Sequence, residues 1–243
     1  MSSTIYVGTA GWSLPRPEQA RFPPGESHLA RYAQVFPAVE INSTFHRPHR
    51  GSTFERWSEI VPRGFRFSLK LPKAITHEHR LAGTRGLVEE FLGQIAPLGE
   101  AAACLLVQLP PSLELDLRVA RPFLLDLRER FAGDIALEPR HASWFEPQAG
   151  QWLAEANVAR VAADPPRAAN GFEPTGDPGV AYFRLHGSPR MYYSSYDDAF
   201  LEALATRLQA LAQRGVRCWC IFDNTTLGAG TGNALAVMER LRR

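Results

Sequence analysis

Acidic and imidazole side chains stand at or near the ends of several short apolar runs of this sequence. Glu40, Glu138 and Asp164 are carboxylates, and His186 closes a run of its own. Groups of these types exchange protons with a substrate when their surroundings adjust their pKa values. We therefore interpret Glu40, Glu138, His186 and Asp164 as candidate catalytic residues.

A second set of residues has the chemistry needed to bind a substrate. Cations that end the same kind of run could hold an anionic group, amides and hydroxyls could bind a polyol, and an aromatic ring could stack on a sugar. An alternative for the charged members is a neutralising network of ion pairs that closes the end of the fold. The candidate substrate-binding residues are Asn42, Lys70, Gln108, Arg140, Trp144, Arg184, Tyr193 and Asn224.

A metal site is an alternative that the sequence does not favour. A phosphoesterase-like centre needs several histidines and carboxylates within reach of one another. No spacing here is diagnostic, so we assign no metal-ligating residue and leave a divalent metal as the less favoured possibility. The residues available to such a site are His46, His49, His77, His79, His141, His186, Glu40, Glu138, Asp164 and Asp223.

Eight β-rich runs, bounded by Gly, Pro or polar clusters, must position these side chains. Helical spacing of apolar residues separates most of them, with Ser27 as the expected N-cap of the first helix. Strand alternating with helix implies parallel pairing and right-handed crossovers. The predicted strands are 5–12, 39–45, 65–71, 104–109, 135–140, 158–164, 180–187 and 217–224, and the predicted helices are 28–36, 53–61, 87–98, 119–131, 199–211 and 234–241.

This pattern predicts a single domain over residues 1–243 with the TIM (β/α)8 barrel fold. The length of 243 residues fits a fold of about 250 residues. An open, doubly wound sheet is the alternative, but residues 8–11 (GTAG) lack a dinucleotide fingerprint. In unit six, residues 165–179 are rich in Pro and Gly, so we expect an irregular segment in place of the helix. Residues 13–26 are expected to form a second long loop.

Alternation along each strand assigns the faces, because residues two apart share a side of the sheet. Glu40 and Asn42, Ser68 and Lys70, Glu138 and Arg140, and Tyr182, Arg184 and His186 form such sets. We predict that these polar sets, with Gln108, Asp164 and Asn224, point into the barrel. They would converge at the C-terminal ends of the strands, where barrel enzymes carry their active sites.

Composition limits the classes of partner. The net charge of +2 is too small to argue for nucleic acid. Three cysteines form no even-numbered framework, which favours a reducing compartment. The first residues show no basic region followed by an apolar one, so no signal peptide is expected. No apolar run approaches about 20 residues, and we expect a soluble, cytoplasmic protein without membrane contact. The oligomeric state stays open.

Seven segments carry a resemblance to a known family, and they extend over nearly the whole chain. The sequence resembles the YecE-like family, also called domain of unknown function 72. The resemblance rests on residues 8–13 (GTAGWS), 39–45 (VEINSTF), 67–70 (FSLK), 106–111 (LVQLPP), 138–144 (EPRHASW), 184–187 (RLHG) and 222–224 (FDN).

The resemblance implies a TIM barrel, related in architecture to endonuclease IV-like and xylose isomerase-like barrels, without a settled activity. Asp223 stands where the family more often has Asn, and His46 where it has Tyr. The resemblance also implies that the polar positions of the family motifs are Glu40, Asn42, Lys70, Gln108, Glu138, Arg140, His186 and Asn224.

Three functional hypotheses follow. The leading one is an enzyme, hydrolase-like or lyase-like, that acts on a small phosphate-bearing or polyhydroxylated substrate at the barrel mouth. A metal-dependent nuclease or DNA-repair protein is the second, by analogy of fold. A non-catalytic barrel that binds nucleic acid is the third; it predicts strongly salt-dependent binding without turnover.

Overall fold

Strands and helices alternate along residues 5–243, which are the residues that this computed structural model describes. The strands are β1 (Ile5–Thr9), β2 (Ala38–Ile41), β3 (Arg66–Lys70), β4 (Ala102–Gln108), β5 (Asp134–Glu138), β6 (Ala159–Arg160), β7 (Ala162–Asp164), β8 (Thr175–Gly176), β9 (Val180–Leu185) and β10 (Arg217–Phe222). The α-helices are α1 (His28–Tyr32), α2 (Ser43–His46), α3 (Gly51–Ile60), α4 (Arg85–Ile95), α5 (Leu117–Arg130), α6 (Pro147–Glu155), α7 (Asp198–Gln213) and α8 (Ala229–Leu241).

The parallel strands form two sheets, in the orders β1-β10-β9-β7 and β2-β3-β4-β5-β6. A parallel bridge from Ala10 to Glu40 joins the first sheet to the second, and the Gly11 amide donates to the Glu40 carbonyl at 2.8 Å. At the other end, only Val161 separates β6, which pairs with β5, from β7, which pairs with β9. These two junctions close the ring, so the predicted TIM barrel is confirmed.

Two apolar layers follow from the alternation along the strands. The larger layer packs the helices against the outer faces of the strands. A smaller layer unites residues from opposite sides of the ring, such as Ala38, Leu106, Tyr182 and Trp219, and therefore fills the barrel interior. The side chains that extend this inner layer toward the C-terminal ends of the strands are the ones that can meet at the mouth.

Local signals explain where several helices begin. The Ser27 side chain accepts from the Ala30 amide at 3.1 Å, which confirms the predicted N-cap of α1. Asp116 and Asp197 cap α5 and α7 in the same way. No helix among the described residues is both long and apolar enough to cross a membrane.

Three local predictions differ from the structure. Strand two ends at Ile41 and α2 follows it, so the predicted strand 39–45 is too long. Helix α6 was missed because its nine residues begin with proline and include Gly150, which weakens the helical pattern. Residues 16–21 of the expected loop form a 3-10 helix. In unit six, as predicted, a non-helical segment follows β7, and its short strand β8 pairs antiparallel to β6.

Candidate functional site

Arg184 is the centre of the polar cluster inside the barrel mouth. Its guanidinium contacts Glu40 through Nε at 3.0 Å and through Nη2 at 2.7 Å. Nη1 lies 3.1 Å from Glu138 Oε2, and Nη2 lies 3.1 Å from Asp223 Oδ2. The planar fork of arginine suits this role because it can address several carboxylates at once. We call Arg184, Glu40, Glu138, Asp223 and His186 the mouth network.

His186 bridges two carboxylates of the mouth network. Its Nδ1 lies 2.9 Å from Asp223 Oδ2 and its Nε2 lies 2.9 Å from Glu138 Oε1. A neutral imidazole has one N–H, whereas the imidazolium has two. Burial alone would lower the pKa of His186, but the Glu138 charge and the hydrogen bonds to both carboxylates outweigh burial and raise it. The geometry therefore favours the protonated form.

The pKa of His186 predicts how stability depends on pH. Because that pKa is raised above the unfolded value of about 6.5, the stabilisation is complete below about pH 6.5 and is lost as the pH rises through the folded pKa. Urea unfolding should show the advantage of the wild type over His186→Gln shrinking toward alkaline pH. The exposed His79, changed to Gln, is the control. An advantage that is constant or grows with pH would contradict the assignment.

Further hydrogen bonds satisfy the buried carboxylates. Tyr182 Oη donates to Glu40 Oε2 at 2.7 Å and also contacts Ser68 Oγ at 2.9 Å. Gln108 Nε2 donates to Glu138 Oε2 at 2.6 Å. Burial tends to raise the pKa of Glu138, but Arg184, His186 and Arg140 overcome that tendency and hold its pKa well below the usual range. Glu138 is consequently ionised, and it accepts hydrogen bonds and balances positive charge rather than donating a proton.

Lys70 stands at the edge of the mouth network without joining it. Its ammonium lies 4.1 Å from the centre of the Phe45 ring and makes no hydrogen bond or ion pair with any residue in 5–243. Burial and the nearby Arg184 lower the pKa of Lys70 to about 8, although the carboxylates of the network oppose the shift. Lys70 thus offers three N–H donors, or one free amine, to a ligand.

Arg140 is the second basic side chain at this edge. Its guanidinium is partly exposed, and Nη2 lies 3.6 Å from Glu138 Oε1. Its Nε is buried and has no hydrogen-bond partner among the described residues. Arg140 is therefore held less tightly by the network than Arg184.

The alternation of polar and apolar residues along the strands predicted most of this site. The predicted inward orientation is confirmed for Glu40 in β2, Gln108 in β4, Glu138 in β5 and Arg184 in β9. The residues two positions earlier in these strands lie in the inner apolar layer, namely Ala38, Leu106, Ala136 and Tyr182. Lys70, which ends β3, reaches the same cluster. The structure brings together seven of the candidate residues, namely Glu40, Lys70, Gln108, Glu138, Arg140, Arg184 and His186. Arg184, however, is occupied by the protein's own carboxylates, so its predicted position facing a substrate anion is wrong.

The last strand has the opposite phase from the one predicted. Trp219 and Ile221 belong to the inner layer, so Asp223 points inward and Asn224 points out. Asn224 Nδ2 donates to the Ser194 carbonyl at 2.8 Å and to Asn233 Oδ1 at 2.9 Å, against the start of α8. Sequence reasoning missed Asp223 as a member of the site. Trp219 lies four residues before Asp223 and therefore shares its face of the strand. The large size of the Trp219 side chain was the available signal for the correct phase.

The sixth predicted strand, which the structure divides into β6 and β7, shows the same error of phase. Ala159, Val161 and Ala163 face the interior, which turns Asp164 toward the outside of the ring. There its Oδ1 accepts from Tyr196 Oη at 2.9 Å. Asp164 therefore does not join the other catalytic candidates at the mouth, because it follows the inward-facing Ala163 by one residue and falls on the opposite face.

Two further candidate binding residues, Trp144 and Tyr193, also lie outside the mouth network. Trp144 is fully buried and donates from Nε1 to the Leu113 carbonyl at 2.9 Å, so it has no face open to a ligand. Tyr193 packs against Arg190, whereas Tyr192 lies against the His186 ring with centroids 5.7 Å apart. The Tyr192 ring is partly exposed and covers the mouth network from the outside.

Asn42 lines a separate cavity of about 300 Å³ beside the end of β1. Trp12, Ser13 and His28 share this cavity, and the Oδ1 atom of Asn42 is buried without a partner among the described residues. Asn42 is adjacent to the mouth network in sequence, but it opens toward different neighbours.

No group of three or more His, Cys, Asp or Glu side chains within residues 5–243 is arranged to hold a metal ion. In the mouth network the guanidinium of Arg184 occupies the space between the carboxylates of Glu40, Glu138 and Asp223. A cation already neutralises these oxygens, and the donor set does not fit a divalent metal. This arrangement lends no support to the nuclease hypothesis.

The fold and the site together define a class of protein, a (β/α)8 barrel with an arginine-centred ion network in its C-terminal mouth. The chain belongs to the family described as "Protein of unknown function DUF72", which matches residues 6–243. A DUF72 family protein from Enterococcus faecalis V583 has a TM-score of 0.83 at 23% identity, covering 98% of this chain and 96% of that one. Another, from Thermotoga maritima MSB8, has a TM-score of 0.79 at 26% identity, covering 98% and 99%.

A curated relative supports the same membership. The UPF0759 protein YecE of Escherichia coli K12 is 31% identical over 166 residues, which are 66% of this chain. The match spans 59% of the length of that relative. Both the family description and this relative's name leave the activity of the family unassigned.

Proposed function

We propose that the protein is an enzyme that acts at the barrel mouth on a small substrate bearing a phosphate or another anionic group on a polyhydroxylated skeleton. The observation that carries this proposal is the contrast between the paired mouth network and the unpaired Lys70 beside it. A lysine with lowered pKa in a partly enclosed site is typical of functional positions. Arg140 supplies a second cation at the same edge.

Charge balance favours an anionic ligand. Glu40, Glu138 and Asp223 contribute three negative charges, and Arg184 with protonated His186 returns two positive ones. The addition of Lys70 and Arg140 makes four positive charges against three negative, an excess of one. The excess positive charge is carried by Lys70 and Arg140 at the edge of the mouth network. A phosphate or carboxylate of a ligand can neutralise it there.

Within this proposal the mouth network supplies proton transfer. His186 is protonated, and it donates to a substrate oxygen when that oxygen displaces Glu138 or Asp223 from one of its two N–H groups. The carboxylates of Glu138 and Asp223 balance the positive charge of the His186 imidazolium and keep its ring oriented. Glu40 is fully buried and acts through Arg184 as a positioning residue rather than by contact with the substrate.

Calorimetric titration with inorganic phosphate, glucose 6-phosphate and glucose tests the proposal. We expect glucose 6-phosphate to bind more tightly than either fragment, because it combines charge and hydroxyls. Arg140→Met and Lys70→Met should each weaken that binding by about tenfold, which corresponds to about 1.4 kcal/mol for one charge-assisted contact.

Lys73→Met is the matched control, because Lys73 is exposed and pairs with Glu78 at 3.3 Å. It should leave the affinity within a factor of about two, as expected for a surface ion pair. If none of the three compounds binds, or if the Lys70 and Arg140 variants bind as well as the wild type, the proposed site is incorrect.

A further inference from the structure

Lys70 has a position that simple anion binding does not require. It ends β3 and points into the mouth, where the residue is 8% exposed. The Phe45 ring covers one side of the ammonium at 4.1 Å. A lysine that serves only as a charged anchor is better placed in water, where its ammonium is fully hydrated. The enclosure of Lys70 instead raises the share of neutral amine in equilibrium with the ammonium form that dominates at pH 7.

The neighbours of Lys70 cannot easily stabilise its charge. Glu40 and Glu138 are already saturated by Arg184, Tyr182 and Gln108. Charged and titratable groups reach Lys70 from all sides of the mouth, and the pKa of about 8 is their combined result with burial. Those groups are Arg184, Glu40, Glu138 and Asp223 within the network, and His77 with Arg140 at its rim.

We propose that Lys70 forms an imine with the carbonyl group of an anionic aldehyde or ketone bound at the barrel mouth. This inference rests on the proposed function, because it uses the same site and the same anionic substrate class. It adds the functional group on which the enzyme acts and a covalent role for one named atom, Lys70 Nζ.

The chemistry is balanced without any oxidant or reductant. The lone pair of neutral Nζ forms a bond to the carbonyl carbon, while the C=O π bond breaks and its oxygen takes a proton. A second proton converts that hydroxyl to water, which leaves as the C=N bond forms and Nζ gives up a proton. The protonated His186 of the mouth network, together with solvent, supplies the protons that the oxygen takes.

The chain allows an unusually direct test, since Lys70 and Lys73 are its only lysines. The wild-type protein is incubated near pH 7 with cyanoborohydride and one of three carbonyl compounds: formaldehyde, dihydroxyacetone phosphate or pyruvate. Cyanoborohydride reduces an imine to a stable secondary amine. Peptide mass mapping then quantifies adducts at Lys70, Lys73 and the α-amino group separately.

With a pKa of about 8, Lys70 has about two hundredfold more neutral amine at pH 7 than an ordinary lysine of pKa about 10.4. Since a less basic amine is also less nucleophilic, we expect a smaller advantage, at least tenfold faster adduct formation at Lys70 than at Lys73. Formaldehyde measures the reactivity of the amine, and the two anionic carbonyl compounds measure the substrate class. Lys70→Arg should abolish the dominant adduct and Lys73→Arg should leave it.

Preferential adducts at Lys70 with formaldehyde and with either anionic compound support the proposal. Equal or slower reaction at Lys70 than at Lys73 overturns it. Reaction at Lys70 with formaldehyde alone overturns the anionic carbonyl class. In either failure the titration with glucose 6-phosphate still reports whether an anion binds at the mouth, so loss of the imine does not remove the proposed function.

Discussion

Replacement of Arg184 by methionine is expected to lower the free energy of unfolding by about 3 to 5 kcal/mol, the range for a buried ion pair that loses one partner. The change keeps much of the side-chain volume but removes the guanidinium. Glu40, Glu138 and Asp223 would then face one another with His186 as the one cation left inside the network and Arg140 at its edge, 3.6 Å from Glu138. Urea denaturation followed by far-ultraviolet circular dichroism at neutral pH measures the loss.

Arg118→Met is the matched control for this variant. Arg118 is 90% exposed on the side chain and pairs with Asp116 at 2.8 Å. Removal of such a surface pair should change stability by about 1 kcal/mol or less. A similar small change in Arg184→Met would show that the three carboxylates do not depend on the guanidinium, and the description of the mouth network would be incorrect.

Gly8→Ala is expected to destabilise the protein by about 3 kcal/mol or more, at or above the upper part of the range for an overpacked core. A Cβ at Gly8 would overlap the carbonyl oxygen of Ala38 and would come within 3.1 Å of Tyr32 Oη. The same hydroxyl donates to Ala38 O at 3.1 Å, and the Thr9 amide donates to it at 2.8 Å. The clash therefore falls where β1 meets β2 and the barrel closes.

Gly93→Ala is expected to have the opposite effect on stability from Gly8→Ala. Gly93 lies inside α4, and no atom would come within 4 Å of an added Cβ. Alanine there should stabilise the protein by about 0.5 to 1 kcal/mol, because glycine loses more backbone entropy on folding. Thermal unfolding of both variants compares the two glycines. Equal effects of the same sign would contradict the close approach at Gly8.

The site separates two kinds of charged residue that look alike in sequence. Arg184 and Arg140 both lie near the C-terminal ends of strands, yet Arg184 is saturated by carboxylates and Arg140 retains an exposed edge. Lys70 differs again, because its nearest partner is an aromatic ring rather than an acid. Arg184 is therefore neutralised within the protein, whereas Lys70 and Arg140 are the cations on which the proposed ligand site depends.

Much of the fold could be predicted because its pattern is local. Short β-rich runs alternate with amphipathic helices, and this alternation requires parallel strands with helical crossovers. Helix α6 was not predicted because its nine residues have too little apolar periodicity. The inward-facing residues of β9 could be predicted because Tyr182, Arg184 and His186 alternate with apolar neighbours. The inward-facing residues of β10 could not be predicted, since apolar residues occupy both of its faces.

By itself the sequence determined that a ring of strands would bring Glu40, Glu138, Arg184 and His186 to one end of the molecule. The alternation of polar and apolar residues is sufficient for that conclusion, because a strand has only two faces. Only the tertiary structure decided which of these groups pair and which stay free. Arg184 and Glu40 are 144 residues apart, and their contact depends on the relative heights of strands across the barrel, a quantity that no local pattern encodes.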